Sequence, residues 1–301
     1  MQLVIPQLQA AQIGDILLNE PLSGYTTWKI GGPADMLLVP RGKQELITTI
    51  GILHEHNLPW TMIGKGSNLL ISDKGIRGVV IKLGEGLETL RFEDNLVYAG
   101  SAYGFIKLSV MAGKQGLTGL EFAGGIPGSV GGAVYMNAGA HGSDVSRILK
   151  EAEIILNTGE LVTLTAQDLQ FAYRHSLLQN NPGVVLQAVF ELAYGDRKEI
   201  AAAMASYKDR RIKTQPLHLA CAGSVFRNPD QLHAAKLIEQ AGLKGVSVGG
   251  AEVSELHANF IVNTGQATAT DVLTLMELIQ TKVYELTKVQ LIREVMVVGE
   301  R

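Results

Sequence analysis

A dense block of glycines in the middle of the chain restricts its fold more than any other sequence feature. Of the 34 glycines, 12 fall between Gly100 and Gly142, where they alternate with Leu, Phe, Ile, Val and Ala. Flexible linkers are rich in glycine too, but these apolar neighbours indicate an ordered segment with tight turns. A ligand can approach such a backbone closely, because glycine has no Cβ atom in the way.

The amino-acid composition excludes several classes of protein. The 301 residues are 46% hydrophobic and 18% charged, and the net charge of −3 gives no support for nucleic-acid binding. This length favours about two domains with a large buried core. The single Cys221 excludes a disulfide framework and a multi-cysteine metal site, and it fits a reducing compartment.

The sequence also indicates the cellular location of the protein and whether it binds a metal. A membrane-spanning helix needs about 18 consecutive apolar residues, and no stretch of the chain approaches that length. The first residues lack the basic region of a signal peptide. We therefore expect a cytoplasmic protein with no membrane partner. No ligand spacing is found among His54, His56, His218, His233 and His257, so we expect no metal site.

Hydrophobic periodicity predicts alternating strands and helices. Strands are predicted at residues 37–39, 60–63, 79–81, 96–99, 184–190 and 260–262, with a hairpin formed by 154–156 and 161–164. Helices are predicted at residues 46–53, from residue 106 to near Gly113 or Gly116, at 198–211 and at 234–240. A final helix is predicted to start near Thr270, which can cap it. Residues 1–27 show no clear periodicity.

The first glycine motif, Gly64-Lys65-Gly66-Ser67-Asn68, directly follows the predicted strand at 60–63. Glycines after a strand let successive backbone N–H groups point the same way, which suits a diphosphate. The motif is not the dinucleotide fingerprint, because Leu69 stands where the third glycine is required, and it lacks the ending of a P-loop. A tight turn with a surface lysine is the alternative.

The second glycine motif, Gly124–Gly132, reads Gly-Gly-Ile-Pro-Gly-Ser-Val-Gly-Gly and is followed by Asn137-Ala-Gly-Ala140. Its open backbone suits a flat or phosphorylated ligand, although a buried crossover between close strands is the alternative. Pro127 stands where the nucleophile elbow of a hydrolase needs glycine. Together the two motifs favour a cofactor that contains a diphosphate.

Three side chains are candidates for chemistry. Arg174 lies between apolar residues and could bind a carboxylate in bidentate fashion, but a structural ion pair is favoured. Ser224 lies among small and apolar residues, where a turn or a cap is the default. Glu294 enters an apolar, strand-like run, so it lies either at a strand edge in water or in a site. From the residues alone, the structural interpretation is favoured for each of them.

These motifs, in this order and at these separations, resemble the UDP-N-acetylenolpyruvoylglucosamine reductase family, whose members are flavoenzymes of peptidoglycan precursor synthesis. The resemblance extends from about Thr26 to Gly299 and rests above all on Gly124–Gly132, Tyr173-Arg174 and Gly223-Ser224. The short link between Arg174 and Ser224 is similar to that of the compact type II branch.

The resemblance implies an α+β fold in three parts. After an N-terminal segment at residues 1–29, an FAD-binding unit of the vanillyl-alcohol-oxidase (PCMH) type spans residues 30–195. It consists of two subdomains that divide near residue 80. A C-terminal α+β domain at residues 210–301 binds the substrate.

The resemblance also implies a reaction. NADPH supplies a hydride, and non-covalently bound FAD passes it to UDP-N-acetyl-3-O-(1-carboxyvinyl)-glucosamine, which becomes UDP-N-acetylmuramate. In the family pattern Arg174 stabilises negative charge at the substrate carboxylate, Ser224 donates a proton and Glu294 assists at the carboxylate. The residues that match the cofactor site are Gly64, Lys65, Gly66, Ser67, Asn68, Gly124, Gly125, Ile126, Pro127, Gly128, Ser129, Gly132, Asn137 and Ala140. The substrate candidates are Tyr173, Lys213, Arg227, Asn228 and Asn259.

Two positions depart from the family pattern. Arg227 stands where many relatives have lysine, a mild change for a contact between point charges. Met296 stands where a basic residue is usual, which puts in doubt a salt bridge at that strand.

Two alternative functions remain open. One is a sugar or lactone oxidase of the same fold, with FAD attached covalently through histidine or cysteine. Neither residue type occurs between Asn57 and Phe122, and His141 is the nearest candidate. The other is a non-enzymatic sensor of flavin or nucleotide sugar, and the combined presence of Arg174, Ser224 and Glu294 argues against it.

Overall fold

The computed structural model describes residues 3–300, so residues 1, 2 and 301 of the predicted terminal domains lie outside it. The helices are α1 Ile5–Ala10, α2 Lys43–Glu55, α3 Phe105–Lys114, α4 Val130–Tyr135, α5 Arg197–Thr214, α6 Ala234–Gln240 and α7 Ala269–Thr287. Short 3-10 helices lie at Leu22–Tyr25, Glu85–Leu87, Glu121–Gly125, Val145–Arg147 and Leu177–Gln179. Across residues 3–300, no helix combines the length and the apolar character needed to cross a bilayer.

Strands are interspersed with these helices along the chain. They are β1 Asp15–Pro21, β2 Pro33–Val39, β3 Trp60–Ile63, β4 Leu69–Ile71, β5 Ile76–Lys82, β6 Leu90–Glu93, β7 Leu96–Gly100, β8 Leu117–Thr118, β9 Gly139–Ala140, β10 Ser143–Asp144, β11 Leu149–Leu156, β12 Leu161–Thr165, β13 Gly183–Glu191, β14 Ala193–Tyr194, β15 Ser247–Val248, β16 Ala251–Val253, β17 Ile261–Asn263 and β18 Met296–Val298. The predicted strands and the predicted hairpin, now β11 and β12, are confirmed.

The strands form separate sheets, as expected for an α+β protein. A four-stranded sheet has the order β1-β2-β5-β3, with β3 and β5 parallel. A five-stranded antiparallel sheet has the order β12-β11-β13-β7-β6. A small antiparallel sheet has the order β15-β16-β17, and β4 pairs in parallel with β18.

The chain divides into two compact units that do not follow its linear order. The first unit comprises the chain up to Leu18, Met36–Gly64 and Gly78–Arg210. The second comprises Asn19–Asp35, Lys65–Arg77 and the chain from Arg211 onward. The domain boundaries inferred from sequence are linear and stay a prediction.

The first unit contains two hydrophobic clusters. In one, Phe105 of α3 and Val134 of α4 pack with Phe190 of the five-stranded sheet. In the other, Leu46 and Ile50 of α2 belong to a cluster with strand residues of the four-stranded sheet. The spacing of apolar residues that predicted α2 is therefore explained by the face that it buries.

The second unit has a core built around α7. Every residue that predicted its inner face is fully buried, namely Val272, Leu275, Met276, Ile279 and Val283. Trp28, Ile30 and Leu70 belong to the same cluster, although they lie far away in sequence. Early segments of the chain thus complete the C-terminal core.

The start of α7 corrects one prediction. The cap is Thr268, not Thr270: the Thr268 hydroxyl accepts from the Asp271 N–H at 3.0 Å, and Asp271 in turn accepts from the Thr268 N–H at 2.9 Å. Thr270 donates its hydroxyl to Asp73 instead, at 2.7 Å. The prediction failed because both threonines suit a cap, and only the capping box with Asp271 decides between them.

Candidate active site

The first glycine motif links the end of β3 to the start of β4. Gly66 has φ +62°, and a Cβ atom there would lie only 2.1 Å from the Tyr25 carbonyl oxygen, so the backbone requires glycine. Within the described residues, the N–H groups of Gly64, Lys65 and Gly66 donate to no protein acceptor. Three neighbouring backbone donors thus remain for an anionic ligand, as a diphosphate site needs.

Ser129 of the second glycine motif lies against Gly64, the first residue of the first motif. A Cβ atom at Gly64 would come within 2.9 Å of the Ser129 hydroxyl oxygen. Ser129 caps α4 by accepting from the Gly132 N–H at 3.4 Å, and the Gly128 carbonyl accepts from the Phe105 N–H at 3.1 Å. Gly64 and Ser129, which are 65 positions apart in the sequence, therefore lie side by side in the first unit.

The remaining cofactor candidates differ in exposure. Lys65, Pro127 and Gly132 are exposed, whereas Ser67, Asn68, Gly124, Gly125, Ile126 and Ala140 are partly buried. A Cβ atom at Gly124 would touch the Met204 methyl group at 3.4 Å, so this stretch lies against α5.

Arg174 lies in a tight turn. Ala172 and His175 close the turn by exchanging two backbone hydrogen bonds of 3.0 and 3.1 Å. Arg174 has φ +56°, which is uncommon for a residue with a long side chain and is characteristic of functional positions. Its Nη2 donates to the Gly139 carbonyl at 2.7 Å, and its guanidinium carbon lies 4.8 Å from the centre of the exposed Tyr173 ring.

Asn137 has its side chain engaged with protein groups, and its predicted contact with the cofactor stays a prediction. It is buried, its Nδ2 donates to the Ala172 carbonyl at 2.9 Å, and its Oδ1 accepts from the Ser146 N–H at 3.0 Å. These contacts indicate that Asn137 supports the turn that carries Arg174. Ala140 lies in β9, next to the Gly139 carbonyl that Arg174 contacts.

In the second unit, Ser224 and Glu294 lie on paired backbone segments. The Glu294 N–H donates to the Val225 carbonyl at 2.8 Å, and the Arg227 N–H donates to the Ile292 carbonyl at 2.8 Å. Asn68 of the first glycine motif joins them, because its Nδ2 donates to the Glu294 carbonyl at 3.3 Å. The structure thus brings Ser224, Glu294 and a cofactor candidate together, while Arg174 belongs to the first unit.

The side chain of Asn259 fixes the backbone just beyond Ser224. It is buried, its Oδ1 accepts from the Phe226 N–H at 3.0 Å, and its Nδ2 donates to the Phe226 carbonyl at 2.8 Å. The Asn259 carbonyl also accepts from the Val225 N–H at 2.9 Å. This arrangement supports a role in holding the Ser224 segment rather than in touching substrate.

The other substrate candidates present polar groups in different ways. The Arg227 Nε is buried and has no hydrogen-bond partner among residues 3–300. A buried donor without an acceptor is rare and suits a site that an anionic ligand completes. Asn228 is exposed, and its Oδ1 accepts from the first N–H of α6, that of Ala234, at 3.1 Å. Lys213 is exposed in the last turn of α5.

Two titratable groups near this segment have pKa values shifted by burial. Burial lowers the pKa of His257, whose Nδ1 accepts from the Asn259 N–H at 3.3 Å. Burial also raises the pKa of the Cys221 thiol, which keeps it protonated near neutral pH. Within the described part of the chain, no group of three or more His, Cys, Asp and Glu residues could hold a metal ion.

Sequence reasoning missed two residues around Arg174. Ser176 and Gln179 both donate to the Tyr135 carbonyl, at 2.7 and 3.1 Å. Their partner lies more than 40 positions away, so no local pattern marks them. Only the register of the folded chain reveals such contacts.

Two family models match separate parts of this chain. A family model described as the C-terminal domain of UDP-N-acetylenolpyruvoylglucosamine reductase matches residues 215–298. A model described as an FAD binding domain matches residues 34–165. The predicted α+β fold with an FAD-binding unit of the vanillyl-alcohol-oxidase type is confirmed.

Full-length relatives carry the same name. UDP-N-acetylenolpyruvoylglucosamine reductase 1 of Bacillus cereus is 52% identical over 300 residues, which cover 99% of this chain and 100% of that protein. The reductase of Bacillus licheniformis is 51% identical over 302 residues, with 100% of both chains covered. The crystal structure of the Thermus caldophilus reductase has a TM-score of 0.81 at 35% identity and covers 94% of this chain and 98% of its own. The chain described here therefore belongs to the UDP-N-acetylenolpyruvoylglucosamine reductase family.

Proposed function

We propose that this chain uses NADPH to reduce UDP-N-acetyl-3-O-(1-carboxyvinyl)-glucosamine to UDP-N-acetylmuramate, a step in peptidoglycan precursor synthesis. Its family and its FAD binding domain support the proposal. The observation that carries it is the pairing of the Ser224 and Glu294 segments beside Asn68 of the first glycine motif. Held by the two glycine motifs, FAD would supply hydride transfer from NADPH to the terminal vinyl carbon of the substrate.

The two glycine motifs would hold the cofactor. The N–H groups of Gly64, Lys65 and Gly66 supply donors for its diphosphate, and Ser129 lies against Gly64. The stretch Gly124–Gly128 offers backbone without Cβ atoms, which a flat ring can approach. The comparisons do not favour the alternative of a sugar or lactone oxidase.

Arg174 would stabilise the charge that develops on the substrate. Once the vinyl group gains a hydride, negative charge spreads from the adjacent carbon into its carboxylate. A guanidinium can form two parallel hydrogen bonds with that carboxylate, and these strengthen as the charge grows. The turn fixes Arg174 before the substrate arrives, so little reorganisation is needed.

Ser224 would complete the reaction by protonating the carbon next to the carboxylate. The hydride and this proton together saturate the double bond, so the charge of the substrate is restored. Glu294, whose backbone pairs with Val225, would assist at the carboxylate. A positioned proton donor contributes about 10²- to 10⁴-fold to such a step.

The nucleotide part of the substrate would be bound by the remaining substrate candidates. The buried Nε of Arg227 suits a diphosphate oxygen, and Lys213, Asn228 and Tyr173 offer further contacts. Asn259 would keep the segment in place. A cytoplasmic location is part of this proposal and is supported by the single Cys221, which fits a reducing compartment.

A visible absorption spectrum of the purified protein tests the proposal. We expect a flavin spectrum that bleaches with anaerobic NADPH and returns when the enolpyruvyl sugar is added. A flavin that bleaches and does not return would point to another acceptor. Failure to bind added FAD would refute the proposal, and flavin that stays on the denatured protein would favour the covalent alternative.

A further inference from the structure

Gln179 contacts the turn that carries Arg174 through both ends of its side-chain amide. Its Nε2 donates to the Arg174 carbonyl and to the Tyr135 carbonyl, each at 3.1 Å. Its Oε1 lies 3.3 Å from the Nδ1 of His175. The Met136 sulfur also accepts from Nε2, at 3.8 Å. Because all of these partners of Nε2 are acceptors, the orientation of the amide is set, and His175 is the donor to Oε1.

The second acceptor ties the turn to the cofactor motif. Tyr135 is the last residue of α4, so its carbonyl has no donor within the helix. The Ser176 hydroxyl and Gln179 both supply that missing donor. Because α4 begins at the Ser129 cap, Gln179 connects the Arg174 turn to the helix that starts in the second glycine motif.

The conformation of Arg174 explains why such support matters. A positive φ at a residue with a long side chain costs about 1 kcal/mol or more and persists only when the surroundings impose it. Besides the turn's own pairing, the groups that impose it include Asn137, bound to the Ala172 carbonyl, and Gln179, bound to the Arg174 carbonyl itself. Of these two side chains, Gln179 is the one that contacts the backbone of the strained residue itself.

We propose that Gln179 is a positioning residue that fixes the backbone of Arg174 and thereby aims its guanidinium at the substrate carboxylate. The inference deepens the proposed function and rests on it. Gln179 itself need not touch the substrate. Its effect should therefore fall on substrate reduction, where Arg174 acts, and not on the reaction with NADPH.

The test compares two half-reactions in the FAD-loaded enzyme by stopped-flow absorbance. Gln179→Met keeps the length of the side chain and removes its polar atoms. We expect flavin reoxidation by the enolpyruvyl sugar to slow by about 10- to 100-fold, because small misplacement of a catalytic group is costly. Flavin reduction by NADPH should change by less than about twofold. Gln167→Met, at an exposed glutamine of the same unit, is the matched control and should leave both steps unchanged.

Two further measurements separate positioning from a general structural role. If Gln179 acts through Arg174, Gln179→Met should add less than about twofold to the loss already caused by Arg174→Ala. Independently of activity, the Ala172 and His175 amides should exchange hydrogen for deuterium faster in Gln179→Met than in the parent protein. The proposal would be overturned if Gln179→Met slowed reoxidation as much in the Arg174→Ala protein as in the parent. It would also be overturned if the two amides exchanged at an unchanged rate.

A second variant keeps the test decisive if Gln179→Met does not fold. Gln179→Glu preserves the size of the side chain and the acceptor for His175, but it places a carboxylate oxygen against two carbonyls. We therefore expect the same results as for Gln179→Met: slower reoxidation by the sugar, unchanged reduction by NADPH and faster amide exchange in the turn. Should the parent protein itself fail to be reoxidised by the sugar, the proposed function is wrong. The exchange measurement would then still decide whether Gln179 holds the turn.

Discussion

Ser224 occupies a segment whose backbone is held from both sides. Immediately after it, the Val225 carbonyl accepts from Glu294 and the Val225 N–H donates to Asn259. A proton donor gains from such fixation, because the distance to the reacting carbon decides its efficiency. The half-buried position of Ser224 leaves it room to reach a ligand.

Replacing Ser224 with alanine should separate the two half-reactions. Flavin reduction by NADPH needs no proton from Ser224 and should stay nearly unchanged. Reoxidation by the enolpyruvyl sugar should slow by about 10²- to 10⁴-fold, as expected when a proton donor is removed. Ser247→Ala, at an exposed serine of the same unit, serves as the control. If neither half-reaction changed, Ser224 would not be the acid.

His257 should make the protein sensitive to mild acid. Burial lowers its pKa below the ordinary value of 6.5, so the unfolded state takes up the proton first as the pH falls. The contribution of His257 to the free energy of unfolding is therefore complete above pH 6.5. It is lost as the pH falls from 6.5 to the lower pKa of the folded state. Asparagine at 257 cannot titrate but can still accept from the Asn259 N–H.

Urea unfolding at pH 7.5 and pH 5.5 measures this effect. The parent protein should lose more free energy of unfolding between the two pH values than His257→Asn does. Equal losses in both proteins would show that His257 does not titrate on unfolding. The comparison between variants cancels the contribution of the other ionisable groups.

At the scale of single residues, residue type marked candidate positions without fixing their roles, and both stay predictions. Arg174, Ser224 and Glu294 were candidates because charged or polar groups in apolar runs need an explanation. Nothing in the sequence indicated that the side-chain amides of Asn137 and Asn259 form hydrogen bonds with the backbone of distant segments. Such roles depend on which segments meet, and local sequence does not contain that information.

Helix α7 shows how an element is held by contacts at its first turn. Besides its capping box, the N–H groups of Ala269 and Thr270 donate to the Asp73 carboxylate at 2.7 and 2.9 Å. These are among the four N–H groups that have no partner inside a helix, and a carboxylate there also suits the helix dipole. Asp73 thereby anchors the helix to the segment Lys65–Arg77 of the second unit.

Asp73→Ala should destabilise the protein by about 1–2 kcal/mol, the usual loss for a helix cap. Thr268→Ala should cost a similar amount, whereas Asp230→Ala, at an exposed aspartate of the same unit, should change little. Urea unfolding followed by circular dichroism gives the free energies. An Asp73→Ala protein as stable as the parent would mean that water replaces the carboxylate without loss.

The backbone of the first glycine motif allows a test of the cofactor site that needs no substrate. Gly66→Ala would place its Cβ atom 2.1 Å from the Tyr25 carbonyl oxygen and 2.7 Å from the Thr26 Cα atom, so the loop must shift. We expect at least about tenfold weaker FAD binding by fluorescence titration, a loss of about 1.4 kcal/mol. Gly51→Ala, in α2 with open space around it, should bind FAD normally. Unchanged affinity in Gly66→Ala would remove this motif from the cofactor site.

Elements whose apolar residues repeat with a clear period were predicted from the sequence, whereas elements without such a repeat were not. Helix α6 matches its predicted bounds of 234–240, since its buried residues Ala234, Leu237 and Ile238 repeat at helical spacing. Helix α1 and strand β1 lie in the region without periodicity, and α1 buries only Leu8. A short element with so little buried surface is stabilised by its neighbours and leaves a weak signal in the sequence.

The second compact unit is assembled from three separate stretches of the chain, which is a property of the whole molecule. Residues 215–298 match a family model as a domain, yet the compact unit also needs Asn19–Asp35 and Lys65–Arg77. Trp28 is fully buried in its core, donates its indole N–H to the Ile261 carbonyl at 2.8 Å, and accepts from Asn263 through its own carbonyl at 2.9 Å. Strand β18 has its parallel partner β4 in one of these early segments.

A fragment of residues 211–301 should therefore not fold alone. It lacks Trp28, Ile30 and Leu70, so its core would be open, and β18 would lose its partner. Removing a buried tryptophan side chain alone costs about 3–5 kcal/mol, a large part of the stability of a small domain. We expect poorly dispersed amide resonances for the fragment, and Trp28→Ala in the full chain should lower the free energy of unfolding by that amount. A fragment with dispersed resonances and cooperative unfolding would show that the C-terminal segment is an independent domain, and that the early segments only cover its surface.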